Sequence, residues 1–193
     1  MIETAKIVQA LCFIIGKIKK ADKLKLVKML YLADKHHLIR YGRTITGDEY
    51  WAMNYGPVGS ATKDILTMDK SFLSKDEFNY ASRHLSKVDE YRFEPGDACE
   101  PDNLEMLSES DMESLAFVTE NYGALSSHSL VILTHKYPEW AQYKELFGKR
   151  RTRRERIRTE ELISSIPGDS TDPMLMPEAH MRESRNILTG REI

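Results

Sequence analysis

Apolar residues recur at steps of three and four through most of this chain, the spacing of one helix face. Between residues 3 and 19, Ile7, Leu11, Ile14 and Ile18 form such a stripe, and Val8 and Ile15 widen it. Ala21-Asp22 interrupts the pattern, and Asp22 stands where an N-cap belongs. From Lys23 the spacing resumes on two adjacent faces. Val27, Leu30, Tyr31, Leu38 and Tyr41 share one, while Leu26, Leu30, Ala33 and His37 share the other. A helix apolar over so wide an arc is expected at the centre of the fold, with neighbours on two sides. Gly42 follows its last apolar position and can take the left-handed conformation that closes a helix. Arg40 and Arg43 flank that end, where cations are favoured.

Past this helix, Thr46-Gly47-Asp48 is a turn signal, and the aromatic-rich stretch Glu49 to Tyr55 predicts a short strand. Gly56-Pro57 ends it. Pro57 lacks an N–H and is expected in the first turn of a new helix, continued by Val58, Ala61, Ile65 and Met68. Residues 75 to 87 are weakly helical, with Phe78, Ala81 and Leu85 apolar. Residues 88 to 93 alternate and predict a second strand, paired antiparallel with the first. Pro95-Gly96-Asp97 is a turn, and residues 101 to 107 suggest a third extended piece. Ser108-Glu109-Ser110-Asp111 opens a helix with capping residues and early acids, striped by Met112, Leu115, Ala116, Val118 and Tyr122. Ser126 and Ser127 are cap candidates for a short helix over 130–135, and Trp140 and Tyr143 are expected to anchor its exit. Leu162, Ile163 and Ile166 mark one or two more helical turns.

The fold class is therefore α+β: a mostly helical single domain around a central helix, with a small antiparallel sheet of two or three short strands. Its expected extent is residues 1–164. Residues 167–173, PGDSTDP, have linker composition, so residues 165–193 are expected to form a separable linker and short C-terminal helix. That helix, about 177–188, is too short to be stable alone in water.

Composition narrows the class. Hydrophobic content of 41% and charged content of 30% over 193 residues suit a soluble globular domain with a real core. A net charge of −2 argues against wholesale nucleic-acid binding and leaves room for a local basic patch. Cys12 and Cys99 offer no metal spacing and no disulfide framework, and Cys12 reads as a small core residue. No stretch of about eighteen apolar residues predicts a membrane span. The N-terminus lacks the pattern of a signal peptide, so the expected location is the cytoplasm.

The run Lys25 to Val58 resembles the defining segment of the Panacea, or SocA-like antitoxin, domain. Members carry a K-L-x-K-L-L-Y-L-A-D-like helix, then R-Y-G-R-x-I-T-G-D, then Y-G-P-V. Those elements stand here at Lys25 to Asp34, Arg40 to Asp48 and Tyr55 to Val58. The run His135 to Trp140 fits more loosely, and the resemblance covers roughly residues 1 to 164. It implies a prokaryotic or phage antitoxin that binds and neutralises a cognate protein toxin, with a protease or chaperone as a further possible partner. The sequence points to no cofactor and specifies no oligomeric state.

Candidate chemistry is sparse. Asp34 lies on the apolar face of the central helix, where a carboxylate needs donors or a cation. It either holds the following loop through backbone N–H groups or serves as a partner-binding or catalytic acid. No phosphate loop, dinucleotide turn, nucleophile elbow or H-E-x-x-H is present. His36 and His37 are adjacent and point to different faces, and His128 and His135 stand two turns apart, so no metal site is expected. Lys149 to Arg158, KRRTRRERIR, carries seven cations and one Glu. It is a solvated face, a dock for an acidic partner protein, or a nucleic-acid contact that lacks interleaved aromatics. The candidate partner-binding residues are Tyr31, Asp34, Tyr41, Asp48, Trp51, Tyr55, Gly56, Pro57, Arg150, Arg151, Arg153 and Arg154. A binding protein is favoured over an enzyme. The alternative is a nucleic-acid-binding regulator or enzyme using Asp34, Asp48 and the basic run.

Overall fold

The computed structural model describes residues 4–100, 104–149 and 151–190. Helix α1 (Thr4–Ile18) and a two-residue strand β1 (Ala21–Asp22) lead into α2 (Lys23–Tyr41), the axis of the molecule. Asp22 caps α2 by accepting the Lys25 N–H at 2.9 Å. Gly42 closes it at φ 72°, donating to the Leu38 carbonyl at 2.9 Å. Every residue of α2 from Leu26 to Ile39 is buried, polar ones included. The helix packs against α1, α5 (Glu109–Tyr122), α6 (Ser127–Thr134) and α9 (Glu178–Thr189). Two apolar faces therefore understate its enclosure. Lys28, Lys35 and His36 are interior as well.

Two small antiparallel sheets flank the helices. In the first, β2 (Tyr50–Met53) lies between β3 (Gly56–Gly59) and β6 (Arg154–Arg156). In the second, β5 (Arg92–Pro95) lies between β1 and β4 (Leu85–Lys87). The fold is α+β, as the sequence pattern implied. The strand pairing differs from expectation: the segment around residue 90 does not join the strand around residue 50. The Asp89 carboxylate accepts the N–H groups of Tyr91 at 2.9 Å and Arg92 at 2.8 Å, turning residues 88–91 into a hairpin bend. The strand therefore starts at Arg92, and its alternation is read by β1 and β4.

Pro57 also departs from expectation. It lies in β3 opposite Ala52, on an edge strand where a missing N–H is tolerated. Helix α3 (Ser60–Thr67) starts three residues later. Its N-cap position, Gly59, has no side chain, and the Asp48 carboxylate supplies the cap instead. It accepts the N–H groups of Ala61 at 3.0 Å and Thr62 at 2.9 Å. A Cβ on Gly59 would overlap that carboxylate, so the close approach requires glycine.

Helix α4 (Lys75–His84) precedes β4. Helix α5 has the reciprocal cap expected of Ser108 and Asp111. Helices α7 (Pro138–Ala141) and α8 (Lys144–Gly148) carry the chain from α6 to the basic run. Of the suggested extended piece, residues 101–103 lie outside the described residues, and Leu104 to Leu107 forms a turn closed by a 3.0 Å hydrogen bond. Cys12 and Cys99, expected to be unpaired, form a disulfide. Helix α1 packs on β5, which brings the loop holding Cys99 to Cys12 across a separation of 87 residues.

The C-terminal segment lies against the helices. Asp172 is buried and accepts the N–H groups of Ile166 at 2.9 Å and Met174 at 3.0 Å, and the Tyr137 hydroxyl at 3.0 Å. Met174 and Met181 are buried, and α9 lies along α2. Ser184 donates to the Ile39 carbonyl at 2.5 Å.

Candidate functional site

The hairpin β2–β3 and the end of α2 are organised by Asp34. One carboxylate oxygen accepts the N–H groups of Ile45 at 2.8 Å and Thr46 at 3.0 Å. The other accepts the hydroxyls of Thr46 and of Tyr50, the latter at 2.6 Å. Asp34 is wholly inaccessible. Burial pushes its pKa up to about 6, against the pull of these hydrogen bonds. The loop-organising reading of Asp34 is the one the geometry shows.

A second interior network was not legible in the sequence. Lys35 and Glu139 are both fully buried and meet at 2.7 Å. Lys35 also donates to the Leu162 carbonyl and the Ser164 hydroxyl, each at 2.8 Å. Glu139 accepts from the Tyr31 hydroxyl and, through its other oxygen, from Ser164 at 2.7 Å. Burial lowers the Lys35 pKa while Glu139 opposes the shift. Lys28, two turns earlier on the same face of α2, has a carbonyl rather than a carboxylate as partner. It donates to Pro57 at 2.6 Å beneath the hairpin, and burial lowers its pKa to about 7. Charged residues inside an apolar helix signal such networks, although not their partners.

Asp34, His37 and Asp48 share no hydrogen bond with one another among the described residues, and His37 Nε2 lies 3.2 Å from the Asp111 carboxylate. His37 faces the Arg43 carbonyl at 2.7 Å through Nδ1 and the Ser110 hydroxyl at 3.2 Å through Nε2. His36 contacts Ser114 at 3.0 Å and stacks on Phe117. No metal-binding group of three or more His, Cys, Asp or Glu occurs among the described residues.

The sequence candidates thus fall into three groups. Tyr31, Asp34, Asp48, Gly56 and Pro57 are buried. Tyr41 is half-buried and bonds Glu113 of α5, away from the sheet. Trp51 and Arg154 come together on the β3–β2–β6 sheet, and Tyr55 stands at the turn of its hairpin. Arg154 stands opposite Met53 in the ladder, and its guanidinium lies 4.6 Å from the Trp51 ring centroid. Tyr55, at the hairpin turn, is 70% exposed. Arg151 and Arg153 are exposed on the approach to β6, while Arg150 lies outside the described residues. A cavity of about 610 Å³ opens beside the sheet between Gly47–Tyr50 and Arg156–Glu160.

A charged interior holds a helix, a tight loop and a hairpin in register, below an aromatic and arginine surface, in a small α+β domain. The family model described as "Antitoxin SocA-like, Panacea domain" matches residues 26–141, more than half of the chain. The chain belongs to this family of antitoxin-like domains. No curated protein and no solved structure matches it. The matched segment runs from α2 to α7, so α1, the basic strand β6 and the C-terminal helix α9 lie outside it. No helix among the described residues is long and apolar enough to cross a membrane.

Proposed function

We propose that this protein is the antitoxin of a toxin–antitoxin system: it binds a cognate protein toxin in the cytoplasm and neutralises it by direct contact, without chemistry of its own. The observation that carries the reading is the antitoxin-family match over residues 26–141. Two features of the site support it. The buried carboxylates Asp34, Asp48 and Glu139 are engaged by internal donors. The accessible part of the site is an aromatic and arginine surface, the residue types that dominate interface energetics.

The test is co-expression with the adjacent open reading frame, scored for growth and co-purification. Rescue of growth with a co-purified complex is expected. Constant toxin abundance during rescue marks occlusion, and falling abundance marks delivery to a protease. The reading is overturned by failure of both rescue and co-purification. It is equally overturned if the purified protein turns over a nucleotide or nucleic acid and loses that activity with Asp34→Asn.

A further inference from the structure

We infer that the face of the β3–β2–β6 sheet around Trp51 and Arg154 is the dock for an acidic segment of a partner protein. The inference rests on the antitoxin reading and adds the place and chemistry of contact. Of the arginines in and around β6, Arg156 is already paired with Glu49 at 2.9 Å, and Arg158 with Glu161 at 3.3 Å. Arg151, Arg153 and Arg154 are exposed, and none has a carboxylate within 4.0 Å among the described residues. They are unneutralised cations on a chain whose net charge is −2. Their field is local, so it orients an acidic partner on this face rather than drawing it to the whole surface.

Arg154 is also held in place. Its guanidinium lies over the Trp51 ring at 4.6 Å, so it loses less side-chain freedom when an acid arrives. A planar guanidinium offers a fork of N–H donors that matches a carboxylate in two parallel hydrogen bonds. Tyr55, 70% exposed at the turn of the same hairpin, adds apolar contact area with a polar tip.

Nucleic acid fits this face less well. Trp51 is half-buried, and one ring face is occupied by Arg154, so it offers no open platform for a base.

The experiment uses the full chain and three fluorescent probes: an octaglutamate peptide, an octaglutamine peptide and a 20-base-pair DNA duplex. Anisotropy at low salt is expected to show binding of the acidic peptide alone. Affinity should fall at least tenfold in the variant Arg151→Glu/Arg153→Glu/Arg154→Glu, and more than threefold in Trp51→Ala. Arg182→Glu, an exposed charge reversal on α9, should bind like wild type. Unchanged affinity in the triple variant, no binding of octaglutamate by wild type, or tighter binding of the duplex would each overturn the inference. In the co-expression assay, the triple variant should lose rescue while its circular dichroism stays that of wild type. Rescue by both proteins sinks the dock and spares the antitoxin reading. Absence of rescue by wild type sinks that reading, while the peptide titration still decides the chemistry of the surface.

Discussion

Lys35 on α2 and Glu139 on α7 meet at 2.7 Å with no solvent access on either side, across 104 residues of sequence. The pair closes the far half of the chain onto the central helix. Removing one partner leaves an uncompensated charge in a low-dielectric interior, which costs about 3–5 kcal/mol. Lys35→Met should therefore lower stability by about that amount in urea unfolding. Lys35→Met/Glu139→Gln should lose less than the sum of the two single changes, and strict additivity would show that the pair is not coupled.

Asp34→Ala leaves two backbone N–H groups and two hydroxyls without their acceptor. Each unsatisfied buried donor costs about 1–3 kcal/mol. The expected result is a loss of at least that size in chemical denaturation, with Asp34→Asn milder because its carbonyl still accepts. A variant as stable as wild type would remove Asp34 from its organising role.

Lys28 carries a pH dependence of definite sign. Its pKa in the folded protein is lowered from 10.5 to about 7 by burial. Between those values the unfolded chain holds a proton that the native state has released, so stability rises with pH. The slope from one such group is at most about 1.4 kcal/mol per pH unit. Below pH 7 both states are protonated and the penalty of burying the charge is present in full. Lys28→Met should flatten the rise between pH 7 and 9.5, measured as unfolding free energy at each pH. An unchanged profile would show that Lys28 is not the titrating group.

Sequence composition separates residues 165–193 from the domain, yet Met174, Met181 and Ser184 are buried against it. We propose that this segment belongs to the folding unit. Burial of each methionine side chain is worth about 1.5–3 kcal/mol. Truncation after Ile166 is expected to lower the melting temperature by roughly 10 °C, given about 2–4 °C per kcal/mol for a chain of this size. An unchanged melting temperature would restore the separable tail.

Gly42 gives an independent test of the same packing. It stands at φ 72°, and a Cβ there would sit 2.6 Å from Ile187 Cγ2. Gly42→Ala should destabilise the full chain more than the truncated one, read as the difference in melting temperature. Equal losses would mean that only the backbone strain matters.

Much of the architecture was legible in the sequence because its determinants are local. The stripe on α1, the Asp22 cap and Gly42 stop of α2, and the Ser108–Asp111 cap of α5 depend on residues three or four apart. The placement of Asp34 as a carboxylate among apolar neighbours likewise announced a need for donors or a cation. Only the tertiary structure decided what those elements meet. Strand β2 takes the arginine strand β6 as its neighbour, although the two are about a hundred residues apart, and that pairing turns a basic run into part of a surface with Trp51. Cys12 finds Cys99, Lys35 finds Glu139, and Asp172 anchors a stretch that reads as linker. The physical reason is common to all of them. Periodicity and caps record interactions within a turn or two, while the partner of a strand edge, a thiol or a buried charge depends on which distant segment the folded chain brings within a few ångströms.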